Sequence, residues 1–210
     1  MKKIMLIGDS IRMGYDKYVK MAFEDVADVL YPNENCRFAS YVLRYLNMWK
    51  NSMELDDVDV VHWNAGLWDT LRMIDGKVHT PIDAYREYID RICDCMPHYF
   101  PDAKFIFATS TPVQEHLFGE LKRYNKDVEA YNQVAIETVS KHGHSINDLY
   151  SVVKDMPVEY YSDLTHLYTK KGTELLTRKV TRAIEKVLPV KAKELDYDKL
   201  FADTDNIVGI

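Results

Sequence analysis

Short apolar segments alternate along the chain with longer segments in which apolar residues recur at helical spacing. The short segments are rich in β-branched residues, as strands buried on both faces are. They lie at Ile4–Ile7, Ala27–Leu30, Val58–Trp63, Lys104–Ala108 and His144–Ile146. The helical segments are Tyr15–Val26, Phe38–Trp49, Ala84–Met96, Val128–Lys141 and Thr169–Val187. This alternation predicts βαβ units, and therefore a three-layer α/β/α domain around a five-stranded parallel sheet.

Prolines mark the ends of two of the predicted helices. Pro81 lies where the third helix can begin, and we expect Pro97 and Pro101 to break it. After Pro189 the helical pattern gives way to a polar tail with one apolar patch near Leu200-Phe201. We therefore divide the chain into a domain over residues 1–189 and a C-terminal tail over residues 190–210. The apolar patch is expected to dock either on this domain or on a second subunit of a homodimer.

Composition and charge exclude several classes of protein. A chain of 210 residues can bury a core without disulfides or metals. Its net charge of −6, with no long basic block, argues against nucleic acid or an anionic membrane as partner. Cys36, Cys93 and Cys95 cannot all pair and lack zinc-site spacing, which predicts free thiols and no metal. No apolar run approaches the length of a membrane span, and the first one is too short for a secretion signal, so we expect a cytoplasmic protein.

Polar segments follow the predicted strands at the edge of the sheet where such folds bind ligands. Gly8-Asp9-Ser10 comes directly after the first strand, and its serine lies near a helix N-terminus that can stabilise negative charge. The same tripeptide, taken alone, is typical of a capped turn. The segment 64–69, Asn-Ala-Gly-Leu-Trp-Asp, follows the third strand on the same edge and offers an amide side chain.

A carboxylate and an imidazole precede the last helix. In Asp163-Leu164-Thr165-His166, the three-residue spacing lets both side chains of one turn face the same point. A nucleophilic hydroxyl needs a base within hydrogen-bond reach, and that base needs a third group to fix its tautomer. On its own, the segment is equally compatible with an exposed loop that contains a capping aspartate and an incidental histidine.

Taken together, these segments resemble the SGNH hydrolases, a family of GDSL-like lipases and esterases. Gly8-Asp9-Ser10-Ile11 matches the first block of that family, with Ile in place of the usual Leu, and Asp163-x-x-His166 matches the last. The helix around Tyr131-Asn132 resembles the stretch that usually precedes the last block. The resemblance covers about residues 3–187 and implies a flavodoxin-like SGNH hydrolase fold. It also implies Ser10 as nucleophile, His166 as general base and Asp163 as the residue that orients the histidine.

Two departures from the family pattern concern the oxyanion hole, the donors that stabilise the negative oxygen formed during ester cleavage. The third block is Gly-x-Asn-Asp in the family, but here Trp68 stands where the asparagine belongs, and we expect Asn64 to replace it. The second block normally supplies a glycine N–H, yet no glycine occurs between positions 14 and 66. We expect a backbone N–H near Cys36 to take that role, beside the N–H of Ser10.

The resemblance implies hydrolysis of an ester through an acyl-serine intermediate, without metal or organic cofactor. Aromatic residues cluster near the expected cleft and no long apolar lid is evident, so we expect a small acyl group, such as acetyl, on a carbohydrate. The alternatives are a lipid or aryl esterase or thioesterase of the same family, an SGNH-like binding domain with impaired catalysis, and a flavodoxin-like module that holds phosphate or flavin. The residues expected to contact the substrate are Asp9, Arg37, Trp63, Gly66 and Trp68.

Overall fold

The computed structural model describes residues 1–202 and contains one five-stranded sheet. All neighbouring strands are parallel, in the order β2-β1-β3-β4-β5. The strands are β1 (Lys2–Ile7), β2 (Ala27–Leu30), β3 (Val60–Trp63), β4 (Lys104–Ala108) and β5 (Ser145–Asn147). The predicted five-stranded parallel sheet is thereby confirmed.

Helices cover both faces of the sheet. The five long ones are α1 (Ser10–Phe23), α2 (Ala39–Ser52), α3 (Ile82–Tyr99), α4 (Asn125–Lys141) and α6 (Lys170–Glu185). The short ones are α5 (Tyr150–Val153) and α7 (Tyr197–Leu200), with single 3-10 turns at Glu115–Leu117 and Val158–Tyr160. Among residues 1–202, no helix has the length and apolar composition needed to cross a membrane.

Several helix ends differ from the prediction by a few residues, and two of these differences have a clear local cause. Helix α1 begins at Ser10 rather than at Tyr15, because the carboxylate of Asp9 caps it by accepting a hydrogen bond from the N–H of Ile11. Helix α3 continues through Pro97, so the predicted break there is wrong. A proline in the last turn removes one intrahelical hydrogen bond and leaves the preceding turns intact.

The core lies in two layers, one on each face of the sheet. Alternate residues of β1 point to opposite faces: Met5 and Ile7 pack with α2, α3 and α4, whereas Ile4 and Leu6 pack with α1 and α6. Because both faces are covered, the strands have the nearly continuous apolar sequences from which they were predicted.

The order of the strands determines where the cleft lies. From β1 the chain moves outward to β2, and it then returns to form β3 on the opposite side of β1. Loops at such a reversal diverge and leave a crevice at the carboxyl ends of the strands. The N–H of Asn64, directly after β3, donates to the carbonyl of Ile7 at the end of β1, at 3.0 Å. The segments that begin at Gly8 and at Asn64 therefore leave the sheet side by side.

The C-terminal tail packs on the domain over its described part. The N–H of Lys193 donates to the carbonyl of Ala22 in α1 at 2.8 Å, and the ring of Phe201 stacks on Tyr18 with centroids 5.7 Å apart. Of the two docking places expected for the apolar patch, the structure shows the one on the domain. The boundary at residue 189 stays a prediction, and residues 203–210 of the tail lie outside the described residues.

Candidate active site

Ser10, His166 and Asp163 are joined by a chain of hydrogen bonds. The Nε2 atom of His166 lies 2.8 Å from the Oγ atom of Ser10, and its Nδ1 atom lies 2.7 Å from Oδ2 of Asp163. A carboxylate only accepts, so Nδ1 carries the proton donated to Asp163, and Nε2 is left to accept the proton of the serine hydroxyl. Ser10 and His166 are both partly exposed, and the arrangement is therefore open to a substrate.

Asp163 is fixed by its own turn. Its Oδ1 atom accepts hydrogen bonds from the backbone N–H groups of Thr165 and His166, at 2.7 and 2.8 Å. Partial burial alone would raise the pKa of Asp163, but the hydrogen bonds from His166 and Thr165 outweigh it and hold that pKa below its ordinary value. The carboxylate thus stays ionised at neutral pH while it orients the imidazole.

Tyr168, which the sequence did not single out, links the histidine loop to α1. Its ring stacks on His166 with centroids 4.7 Å apart, and its hydroxyl donates to the carbonyl oxygen of Ser10. The ring lies directly against Gly14, where an added Cβ would come within 2.4 Å of it. A tyrosine two residues after the histidine, opposite a glycine in an otherwise amphipathic helix, is the signal that would have indicated this contact.

Asp9 and Asn64 lie beneath the site rather than in the cleft. Asp9 is fully buried, and burial raises its pKa against the opposing interaction with the Asn64 amide. The prediction that Asp9 contacts substrate is wrong, because its carboxyl caps α1 and has no exposed surface. Asn64 is 3% exposed, and a Cβ at Gly8 would come within 1.9 Å of its Oδ1 atom. The contact at Gly8 involves only the acceptor oxygen of the amide, so the predicted role of Asn64 as an oxyanion donor stays a prediction.

The backbone N–H of Cys36 is not free. It donates to the carbonyl of Gly8 at 3.1 Å, so the prediction that it binds the oxyanion is wrong. This hydrogen bond instead fixes the segment after β2 beside Ser10. Arg12 reinforces the contact, because its guanidinium donates to the carbonyls of Gly8 and Glu34 and pairs with the carboxylate of Asp16 at 2.5 Å.

The N-terminus of α2 offers a different backbone donor. The carboxylate of Asp69 accepts the N–H of Ala39 at 3.1 Å, which fixes the first residue of the helix beside the loop after β3. Burial raises the pKa of Asp69 to about 7, against hydrogen bonds from Thr80 and Ala39. The next N–H, that of Ser40, has no acceptor within the helix, and the same holds for the N–H of Ser10 at the start of α1.

Trp63 is a core residue, so the prediction that it contacts substrate is wrong. Its side chain is 0% exposed and meets the ring of Phe107 edge-on, with centroids 4.8 Å apart. It ends a strand in the middle of the sheet, where α2 and α3 cover the face to which it points. The sequence shows that Trp63 ends a strand, but it could not show that helices cover its side chain.

Three other predicted substrate contacts lie around the cleft with different surroundings. Trp68 is partly exposed and meets Phe38 edge-on at 6.0 Å, and Phe38 in turn stacks on His79 at 4.4 Å. Arg37 is exposed, with a left-handed backbone at φ 49°. Gly66 has φ 139°, and an added Cβ would lie 2.9 Å from the hydroxyl of Tyr85, so only glycine fits there.

Arg123 is a second residue near the cleft that the sequence did not indicate. It comes from the segment between β4 and α4, and its Nε atom donates to the carbonyl of Leu67 at 2.7 Å. That segment has no periodicity, and nothing in its sequence shows that it folds back onto the loop after β3. Within residues 1–202, no three His, Cys, Asp or Glu side chains are grouped so as to hold a metal ion.

Comparison with known proteins identifies the fold. No protein-family model and no curated protein matches the chain. A lipase/acylhydrolase from Enterococcus faecalis superposes with a TM-score of 0.70, covering 93% of this chain and 100% of that one at 23% identity. An acetyl xylan esterase gives a TM-score of 0.67 over 87% and 99% at 17% identity. A member of the lipolytic G-D-S-L family from Veillonella parvula gives 0.66 over 89% and 100% at 15% identity. The predicted fold is confirmed.

Proposed function

We propose that this chain is a serine ester hydrolase of the SGNH type. The observation that carries the proposal is the hydrogen-bond chain from Ser10 through His166 to Asp163, at 2.8 and 2.7 Å. Those distances match what a nucleophile, a general base and an orienting carboxylate require. The similarity in fold to lipases and esterases supports the same conclusion.

The reaction is transfer of an acyl group to water in two halves. The Oγ atom of Ser10 attacks the ester carbonyl carbon while its proton moves to Nε2 of His166. The bond from that carbon to the alcohol oxygen then breaks, and His166 returns the proton to the leaving alcohol. Water repeats the sequence on the acyl-serine and releases the acid. Asp163 stabilises the imidazolium formed in each half.

The backbone donors for the oxyanion are the N–H groups of Ser10 and Ser40. Each lies within the first two residues of a long helix, where the helix leaves N–H groups without acceptors and the dipole favours negative charge. The hydrogen bond from Cys36 to Gly8 brings the segment that leads into α2 beside Ser10. Asp69 fixes the start of α2, which makes it a positioning residue for the Ser40 donor.

The substrate we propose is a small acyl group, such as acetyl, on a carbohydrate. The partly exposed rings of Phe38 and Trp68, with His79 stacked behind Phe38, suit the apolar face of a sugar. One of the similar structures is an acetyl xylan esterase, which is consistent with this choice. The alternatives are lipid or aryl esters and thioesters, and a domain that binds a ligand without cleaving it.

Steady-state kinetics on a panel of esters tests both parts of the proposal. The panel varies the acyl chain from acetyl to octanoyl on one aryl alcohol and adds acetylated sugars and a thioester. Ser10→Ala and His166→Ala should each lower kcat by on the order of 10⁴–10⁶. Ser151→Ala, which changes an exposed serine in α5, is the matched control and should leave kcat unchanged. Faster cleavage of octanoyl than of acetyl esters would contradict the small acyl group, and activity that survives Ser10→Ala would contradict the mechanism.

A further inference from the structure

Arg123 is held at the cleft by the loop that lacks the expected asparagine. Its Nε atom donates to the carbonyl of Leu67, at 2.7 Å, directly before Trp68. The guanidinium carbon also lies 5.8 Å from the centre of the Phe118 ring, in the same segment as Arg123. These two contacts fix the plane of the guanidinium and leave its two terminal amino groups, at Nη1 and Nη2, for other partners.

Those terminal groups have no acceptor within residues 1–202. Over residues 1–202, Arg123 forms no ion pair and neither Nη atom donates a hydrogen bond, although neither is enclosed in the protein. Arg72, which lies nearby in the fold, shows the contrast: its guanidinium donates to both carboxylate oxygens of Asp127, at 2.8 and 2.9 Å. Burial lowers the pKa of Arg123, and the charge of Asp9 opposes that effect. A partly desolvated cation with unused donors is typical of a site where the ligand carries the negative charge.

The position of Arg123 relates it to Ser10. Leu67 belongs to the segment that leaves β3 beside the segment Gly8–Ser10, since Asn64 is hydrogen-bonded to the end of β1. Burial raises the pKa of the Asp9 carboxyl, which directly precedes Ser10, and the charges of Arg123 and His166 both oppose that effect. His166 is hydrogen-bonded to Ser10, and Arg123 is hydrogen-bonded to the loop that leaves the sheet beside Gly8–Ser10, so both side chains border the start of α1.

We propose that Arg123 donates from its terminal amino groups to the oxyanion formed on Ser10. It thereby supplies the side-chain donor that Trp68 cannot supply, in place of the Asn64 predicted from the sequence. This inference rests on the proposed ester hydrolase function. A charged donor is well suited to the role, because a guanidinium forms short, strong hydrogen bonds to negatively charged oxygen.

Substitution of Arg123 tests the proposal with an uncharged acetyl ester. Arg123→Gln should lower kcat by on the order of 10²–10³, with KM changed less than about threefold, because the donor acts mainly on the transition state. Affinity for an aryl boronic acid, which forms a tetrahedral adduct with an active serine, should fall in parallel with kcat/KM. Free guanidinium ions should restore part of the kcat of Arg123→Ala. Arg72→Gln removes a neighbouring arginine and is the matched control, with kcat expected within a few-fold of the wild type.

A second ester separates this role from simple recognition of an anionic substrate. The proposal is overturned if Arg123→Gln leaves kcat for the acetyl ester unchanged and raises KM only for an ester whose acyl group carries a carboxylate. Arg123 would then bind the charge of the substrate. If Arg123→Gln does not fold, as judged by circular dichroism, Arg123→Lys takes its place, because it keeps the charge but loses the paired donors. A wild-type protein that cleaves neither ester overturns the proposed function itself. This result differs from any effect of the Arg123 substitutions, because it is seen before a residue is changed.

Discussion

Replacing Asp69 by asparagine should change how the stability of the protein depends on pH. Burial raises the pKa of Asp69 from 3.8 to about 7 in the folded chain. The unfolded chain therefore releases this proton near pH 4, whereas the folded chain keeps it until about pH 7. Between these values the folded state binds more protons than the unfolded state, so the contribution of Asp69 to stability falls as pH rises.

The size of the effect follows from the interval between the two pKa values. At about 1.4 kcal/mol per pH unit, the interval from 3.8 to about 7 corresponds to roughly 4 kcal/mol of stability lost between pH 4 and 7. Asparagine has the same shape, still offers an oxygen to the N–H of Ala39, and does not titrate. The free energy of unfolding of Asp69→Asn, minus that of the wild type, should therefore rise by roughly 4 kcal/mol between pH 4 and pH 8.

Urea unfolding, followed by tryptophan fluorescence at intervals from pH 4 to pH 8, measures this difference. Asp59→Asn is a control of opposite sign. Burial alone would raise the pKa of Asp59, but hydrogen bonds from Lys2 and Lys3 outweigh it and hold that pKa below its ordinary value. The contribution of Asp59 to stability is therefore lost as pH falls. A stability difference for Asp69→Asn that stays constant over this range would refute the reasoning, because it would mean that Asp69 titrates alike in both states.

Three further substitutions test individual contacts. Asp163→Asn should lower kcat by on the order of 10⁴ with only a small loss of stability in urea, since the wrong imidazole tautomer would then face Ser10; normal turnover would remove Asp163 from the mechanism. Gly14→Ala puts a Cβ 2.4 Å from the ring of Tyr168 and should cost about 1–3 kcal/mol in urea unfolding, a cost that should vanish in a Tyr168→Ala background. Arg12→Met leaves Asp16 buried and unpaired and should cost about 3–5 kcal/mol by the same assay, unless Asp16 is replaced by leucine as well.

The fold could be predicted from the sequence because its signals are local and repeated. Strands covered on both faces must be apolar throughout, and helices on a sheet must be apolar along one stripe, so periodicity alone gives the layers. The errors concern helix ends, whose positions depend on single local contacts rather than on a repeated pattern. The cap from Asp9 to Ile11 moves the start of α1 to Ser10, and α3 tolerates Pro97 because the helix is about to end.

The residues of the candidate site also divide into those that local sequence indicates and those that depend on contacts between distant segments. Asp163 and His166 share one turn, and Ser10 follows a strand, so short segments were enough to indicate them. The oxyanion donors depend on contacts between distant segments. No sequence pattern shows that the N–H of Cys36 is taken by Gly8, or that Arg123 folds onto Leu67.

Covalent labelling of Ser10 is the most direct test of the central claim. The wild-type protein is treated with a fluorophosphonate, which phosphorylates only an activated hydroxyl, and the adduct is located by mass spectrometry of its peptides. We predict one adduct, on Ser10, that is absent from Ser10→Ala and forms orders of magnitude more slowly in His166→Ala. No adduct on a folded wild-type protein, or an adduct on any residue other than Ser10, would contradict the assignment of the nucleophile.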